Sequence, residues 1–284
     1  MSKSAGFRRV LIGVTCAWVL LLAVLPYLIL FGASFLERGA DTLVKPGLSP
    51  LNYLNLLSPA VFGMAADSIG LAAIAALLCL VIGYPFASIL AQASPKIQPL
   101  LLLLVLLPFW TNSLIRTYAL VIMLKADGVI NSLLLWTGLI SEPLQLMYTP
   151  LAVFIGLVYT LLPFMILPLY AALKAVNPRL LEAGRDLGAS RVQNFCRITV
   201  PLTAPGIIAG TMLVFLPALG MFYIADILGG ARSMLLGNYI RDQFLVFRDI
   251  PMGAAASITM TLVMGLLLAL YYLSSRRSGK KMLP

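Results

Sequence analysis

The sequence contains no histidine, and only ten of its 284 side chains are acidic. Without imidazole the chain lacks the commonest general base and the commonest metal ligand, which disfavours hydrolases, metalloenzymes and haem proteins. Cys16, Cys79 and Cys196 lie far apart and form no CxxC pair, so they indicate neither a disulfide framework nor a zinc site. No GxxxxGKS or GxxxxGKT motif is present, so the chain has no phosphate-binding loop of that kind.

Charged residues are also scarce, at 11% of the chain against 61% hydrophobic residues, and the mean hydropathy is +1.00. Soluble domains carry about 25% charged residues, so this composition excludes one. A hydrocarbon core of ~30 Å needs about 20 apolar residues in a helix. The long uncharged stretches predict one all-α, polytopic membrane domain over residues 1–284. Its six predicted spans are 10–33, 68–92, 98–124, 149–173, 203–226 and 252–274.

Two further uncharged stretches do not fit a span. Pro46–Ala66 is interrupted by prolines and glycines, which predicts a loop with a short surface helix starting near Ser49. Gly128–Ser141 is too short to cross a bilayer, so a membrane-surface or re-entrant helix is expected there.

The net charge of +10 is distributed unevenly across the predicted topology. Six spans place both termini and the loop 174–202 on one side, which carries thirteen of the 20 basic residues and two of the ten acidic residues. By the positive-inside rule, that side is cytoplasmic, so both termini of this multi-pass protein are predicted to lie in the cytoplasm. The basic excess is therefore a topological signal, and no nucleic-acid partner is predicted.

The loop 174–202 carries the clearest local signals in the chain. Asn177 is a good N-cap, Pro178 suits the first helical position and Gly188 suits the left-handed residue after a helix, which together predict a helix of about ten residues. Ser190 predicts a second short helix through residue 198. We expect prolines 201 and 205 to end this unit and to start span five.

The first loop helix is too short to be stable alone. Leu180, Ala183 or Gly184, and Leu187 give it one apolar stripe, so it must pack on something. One interpretation is that it packs only on the inner ends of spans four and five; the other is that it binds a partner.

Several motifs in this loop resemble the EAA loop of ABC-importer permeases. They are Glu182-Ala183-Gly184, Asp186-Leu187-Gly188-Ala189, Phe195, Ile198, Pro201-Leu202 and Pro205-Gly206-Ile207. The sequence departs from the EAA pattern at Gly184, where the family has alanine. Residues 108–116 and 223–230 are similar to the spermidine/putrescine, or polyamine, type of permease.

The resemblance implies the type I ABC-importer permease fold, a location in the bacterial inner (plasma) membrane, and a transport subunit rather than an enzyme. It implies that the EAA helix docks on a cytoplasmic ATPase, with Glu182 as the charged contact and Gly188 at the sharp turn. The coupling residues implied are Glu182, Ala183, Gly184, Asp186, Leu187 and Gly188. The implied partners are a second homologous permease, two copies of an ABC ATPase, a periplasmic polyamine-binding protein and the lipid bilayer. This chain would bind no cofactor, and ATP and Mg would be held by the ATPase.

Polar residues within spans are costly and so are candidates for a substrate path. In span three these are Trp110 and Asn112, with Arg116 on the face of Asn112. They line the path, or they satisfy carbonyls freed by a kink at Pro108. Arg116 faces the bundle or extends to the outer surface.

Span five is expected to end with a second set of path residues. Tyr223 and Asp226 share a helix face, and an aromatic ring beside a carboxylate suits an alkylammonium ion. The alternative is an interfacial aromatic residue beside a solvated carboxylate. Tyr159 in span four is a further candidate. The alternatives at the level of function are the same machinery for an anion or ferric ion, a membrane-embedded enzyme, and a passive channel.

Overall fold

The computed structural model describes residues 2–39, 44–45, 47–230 and 234–280, and the predicted loop residue Pro46 and the tail residue Lys281 lie outside them. These residues are mainly helical, and an isolated bridge joins Glu37 to Lys45. The α-helices are α1 (Ser2–Val19), α2 (Leu25–Ser34), α3 (Leu51–Leu56), α4 (Pro59–Gln92), α5 (Gln98–Leu106), α6 (Ser113–Leu124), α7 (Val129–Trp136), α8 (Pro150–Lys174), α9 (Pro178–Asp186), α10 (Arg191–Asn194), α11 (Val200–Gly220), α12 (Phe222–Gly229), α13 (Leu236–Leu245) and α14 (Ile250–Lys280).

Within the described part of the chain, six helical segments are long and apolar enough to cross a membrane, which confirms the all-α class and the number of spans. Short π-helical or non-helical segments join some of the helices within them. The six are Leu11–Ser34, Pro59–Gln92, Ser113–Trp136, Pro150–Lys174, Arg191–Gly220 and Ile250–Leu273.

The bounds of three spans differ from the prediction. Span two begins at Pro59 rather than at residue 68, because proline is compatible with the first helical turn. Residues 98–124 are not one helix: α5 is followed by a 3₁₀ turn, Leu107–Trp110, and α6 starts afresh at Ser113. Span five begins at Arg191 rather than at residue 203, and it ends at Gly220 rather than at residue 226. The predicted single domain over 1–284 stays a prediction.

The described chain divides into two compact units. The first comprises residues up to Gly63 together with Asn238–Leu266. In it Asn52 donates from Nδ2 to the carbonyls of Ser34 and Leu36, at 3.0 and 2.9 Å, and so satisfies the end of α2.

The second unit comprises Met64–Gly237 and the residues from Leu267 onward. Its core is the packing of α11 against α8, where Gly206 and Gly210 face α8 so closely that a Cβ on either would overlap it. At Gly210 that Cβ would lie 2.8 Å from Met165 Sδ. Small residues allow this backbone approach, as is usual between membrane helices.

Candidate coupling and substrate-path sites

The helix α9, which we call the coupling helix, is capped at both ends by residues of its own segment. Asn177 Oδ1 accepts from the Arg179 N–H at 3.1 Å. At the other end the N–H groups of Gly188 and Ala189 donate to the carbonyls of Arg185 and Gly184 at 2.8 and 3.0 Å, with Gly188 at φ +81°. This pair of bonds is a Schellman motif, so both predicted caps are present in the structure.

A buried asparagine fixes the coupling helix to the segment that follows it. Asn194 is buried and donates from Nδ2 to the Leu181 carbonyl at 2.9 Å. Gly184 is buried against it, and a Cβ there would overlap Asn194 Oδ1 and lie 2.9 Å from Ile198 Cδ1. The glycine at the third position of the EAA-like motif therefore makes room for the Asn194 amide.

Gly184, one alternative in the predicted apolar stripe of the coupling helix, is buried in this contact, whereas the other members of the stripe are exposed. Leu180 and Leu187 are 46% and 89% exposed, and Ala183 is also exposed. Glu182 and Asp186 are exposed beside them. The helix therefore presents an apolar surface with acidic neighbours that its own bundle leaves uncovered.

The second loop helix does not end at residue 198 as predicted. Ser190 and Gln193 form a capping box at the start of α10, with bonds of 3.2 and 2.9 Å. From there the chain stays helical through a π-turn, Phe195–Thr199, directly into α11. Pro201 and Pro205 both lie inside α11 and have no backbone N–H to donate. They therefore interrupt single backbone hydrogen bonds of the helix without ending the helix. The loop is thus rigidly continuous with span five.

The second candidate site is carried by α12, a separate helix after the break at Met221. The face made of Ile224, Ala225 and Leu228 is buried, and α12 packs on α8 and α6. Gly156 of α8 allows this, since a Cβ there would overlap Leu228 and lie 2.9 Å from Ile224 Cγ2. The expectation that these residues end span five was wrong, because α11 stops at Gly220.

Tyr223 and Asp226 lie on the opposite face of α12, and both are half-buried. The phenol and the carboxylate therefore remain on one side of the helix, as their spacing predicted. Both are held in place by the buried face described above.

Tyr159 lies on α8 and contacts Arg116 of α6. The Arg116 guanidinium carbon is 5.9 Å from the centre of the tyrosine ring, within cation–π range. The Nε and Nη1 atoms of Arg116 are buried, without a hydrogen-bond partner among the described residues. Arg116 therefore packs into the bundle rather than extending to the outer surface.

Trp110 and Asn112 lie at the break in span three. Asn112 is the N-cap of α6 and accepts from the Leu114 N–H at 2.8 Å, while the Thr111 hydroxyl donates to the Pro108 carbonyl at 2.9 Å. Trp110 ends the 3₁₀ turn and is 77% exposed. The geometry gives Asn112 and Thr111 a backbone role at the kink, whereas Trp110 is left free to line a surface.

The sequence did not point to Asn194, whose role depends on a contact across ten residues of chain. The one available signal was the departure from alanine at Gly184. Among the described residues no group of three or more Cys, Asp or Glu side chains could hold a metal ion.

Comparison with known proteins places this architecture in a family. The family model described as binding-protein-dependent transport system inner membrane component matches residues 83–283. The spermidine/putrescine transport system permease protein PotB of Salmonella typhimurium strain SL1344 is 51% identical over 281 residues, covering 99% of this chain and 98% of the relative. PotB of Escherichia coli K12 is 53% identical over 264 residues, covering 93% and 96%.

Solved structures share the fold at lower identity. A bacterial ABC transporter that imports the acidic polysaccharide alginate matches with a TM-score of 0.77 and 20% identity, covering 97% of this chain and 96% of that one. The inward-facing MetNI methionine ABC transporter matches with a TM-score of 0.55 and 16% identity, covering 78% and 99%. The fold is that of an ABC-importer permease. The chain is a transport subunit and not an enzyme, and it belongs to the family of binding-protein-dependent transport system inner membrane components.

Proposed function

We propose that this chain is a permease subunit of an ATP-driven importer of polyamines, coupled to its ATPase through the coupling helix. The single observation that carries the coupling is the exposed stripe of Leu180, Ala183 and Leu187 on a helix whose other side is fastened by Asn194. A short amphipathic helix with one uncovered apolar face fits a hydrophobic groove on a partner.

The polyamine cargo is supported by two independent facts. The relatives with at least half their residues identical over nearly the whole chain are named for spermidine and putrescine. Tyr223 and Asp226 share the face of α12 opposite its buried side, and a carboxylate beside an aromatic ring suits an alkylammonium ion. The fold alone does not select a cargo, since a structure of the same architecture imports an acidic polysaccharide.

The working cycle follows from this assignment. The chain pairs with a second permease, two ATPase copies dock on the cytoplasmic side, and a periplasmic binding protein delivers the polyamine. The ATPases hold ATP and Mg, while both termini and the coupling helix lie in the cytoplasm. ATP binding draws the two coupling helices together and opens the path outward, and hydrolysis returns it inward.

The coupling proposal is tested by co-expressing the chain with its ATPase and second permease and comparing Glu182→Ala with Glu142→Ala. Both glutamates are exposed, and each variant removes one carboxylate, so the pair is matched in environment and in charge. We expect Glu182→Ala to reduce ATPase co-purification and uptake, with membrane insertion unchanged. Equal uptake by the two variants would remove Glu182 from the coupling surface.

The cargo proposal needs a separate test, with Asp226→Asn compared with the exposed Asp127→Asn. In the intact complex we expect Asp226→Asn to lower spermidine and putrescine uptake while the ATPase still co-purifies. Competition with ferric ion and organic anions then separates polyamine transport from the same machinery with another cargo. Normal uptake by Asp226→Asn would withdraw this residue as a polyamine ligand.

A further inference from the structure

A cavity of about 570 Å³ lies in the second unit, behind the coupling helix. Its walls come from the end of α4, the end of α8, the inner face of the coupling helix, α10 and the π-turn that follows. The lining residues are Ser88, Ala91, Gln92, Leu173, Lys174, Val176, Pro178, Leu181, Arg185, Arg191, Asn194, Phe195 and Thr199.

The charge in this cavity has one sign. Lys174, Arg185 and Arg191 line it, and no aspartate or glutamate is among the lining residues. The Lys174 ammonium is 3.3 Å from Gln98 Oε1 and 3.5 Å from the Ala91 carbonyl, which are both neutral acceptors. Neither arginine makes a side-chain ion pair or hydrogen bond with another described residue. Three cations thus line one half-open cavity, with no carboxylate among the lining residues.

The neutral part of the lining suits a ligand with both polar and apolar parts. Ser88 and Gln92 face the cavity as a hydrogen-bonded pair, with Gln92 Nε2 donating to Ser88 Oγ at 3.0 Å. Leu173, Val176 and Phe195 add apolar walls. Arginine forks match phosphate oxygens, and basic pockets between membrane helices on the cytoplasmic side are typical of anionic lipid headgroups.

We propose that this cavity binds a phosphate group carrying net negative charge, supplied by an anionic lipid headgroup or by a free phosphate ion. The lipid source rests on the proposed orientation, which places the cavity at the level of the inner-leaflet headgroups. An occupant would offset part of the positive charge of the three cations and would link the coupling helix to the ends of α4 and α8. The site is separate from the exposed stripe, because Leu180 and Leu187 do not line the cavity.

The test uses the purified full chain in neutral detergent, without ATPase or polyamine, and follows the thermal unfolding midpoint. The titrants are short-chain phosphatidylglycerol, short-chain phosphatidylethanolamine with the same acyl chains, inorganic phosphate, and chloride at matched ionic strength. A ligand that binds only the folded chain raises the midpoint. We expect phosphatidylglycerol to raise it more than phosphatidylethanolamine does.

The inorganic phosphate arm identifies the source. A rise with phosphatidylglycerol alone supports the lipid headgroup, and a rise with inorganic phosphate above chloride supports the free ion. Equal responses to both lipids, together with no rise from inorganic phosphate above chloride, would overturn the proposal. These measurements use the unaltered chain, so they do not depend on whether a variant folds.

Matched variants then locate the site. Arg185→Gln combined with Arg191→Gln removes two lining charges, whereas Arg179→Gln combined with Arg197→Gln removes two charges of the same loop that do not line the cavity. We expect the first pair to weaken the apparent affinity for phosphatidylglycerol at least about tenfold, since each basic residue near an anionic surface contributes about fivefold. The second pair should change that affinity less than about twofold. Equal weakening by both pairs would overturn the site. Because neither cargo nor ATPase is present, failure here leaves the proposed function intact, and failure of coupling leaves this result standing.

Discussion

The coupling helix and α12 are both short helices of the second unit, with nine and eight residues, but they are specified in different ways. The coupling helix has an asparagine N-cap and a Schellman motif, and its apolar stripe is exposed. α12 follows Met221, which makes no side-chain cap, and buries its apolar face against α8.

The difference shows two ways of holding a functional helix. Local caps define the coupling helix from its own sequence, so it can present one face to a partner while a single buried asparagine fastens the other. The position of α12 depends on packing in the bundle, and a half-buried tyrosine and carboxylate are thereby kept on its far side. Variants that act on one helix should therefore leave the role of the other unchanged.

The largest effect is expected from placing a charge on the exposed stripe. Leu187→Glu should reduce ATPase co-purification and uptake more than about tenfold, because a buried leucine contributes about 1.5–3 kcal/mol and a buried carboxylate adds a penalty. Leu48→Glu is the matched control, since Leu48 is 87% exposed and Leu187 89%. Equal uptake by both variants would mean that the stripe is not a docking surface.

The next largest effect concerns the packing of α12 against α8. Gly156→Val should lower the free energy of unfolding by about 1–3 kcal/mol through overpacking against Ile224 and Leu228. Gly70→Val, in open space within α4, controls for the helix propensity of valine. Denaturant unfolding in detergent gives the energies. Uptake should fall with Gly156→Val while the ATPase still co-purifies, and loss of the ATPase would contradict the separation of the two helices.

The sequence predicts the coupling helix well and α12 poorly for the same physical reason. Asn177 and Gly188 act within a few residues of themselves, so their effect is readable locally. The break at Met221 carries no proline or side-chain cap of its own, and it depends on how α12 packs against α8. The prediction therefore ran span five on to Asp226.

Span three shows the intermediate case. Pro108 marks a kink in the sequence, but the prediction that one helix continues to residue 124 fails because Asn112 starts a new one. The contact of Arg116 with Tyr159 could not be predicted, since the two residues lie on different helices and more than forty positions apart in the sequence. Positions of candidate residues on a helix face could be predicted, but contacts between helices could not.

A smaller effect should come from Gly184→Ala. The sign of the change in the free energy of unfolding should distinguish a steric clash at this site from the helix propensity of alanine. Replacing glycine by alanine in an open helix stabilises by up to about 1 kcal/mol, and Gly70→Ala should do so. Gly184→Ala should instead destabilise, because the new methyl group meets Asn194 and Ile198. In a double-mutant cycle, Asn194→Ala should relieve part of that loss, so the two effects should not add. Additive energies would contradict the proposed contact.

The smallest effect is expected at Asn112, where it separates the two interpretations of span three. Asn112→Ala removes the cap of α6 and should cost about 1 kcal/mol, measured by unfolding in detergent. Asn112→Ser keeps an N-cap oxygen but has no amide, so it should restore both stability and uptake if the residue acts on the backbone. Restored stability without restored uptake would make Asn112 a ligand in the path.

The same comparison at Asn177, where the cap belongs to the coupling helix, should change ATPase co-purification rather than the affinity for polyamine, because only that helix faces the ATPase in the proposed assembly.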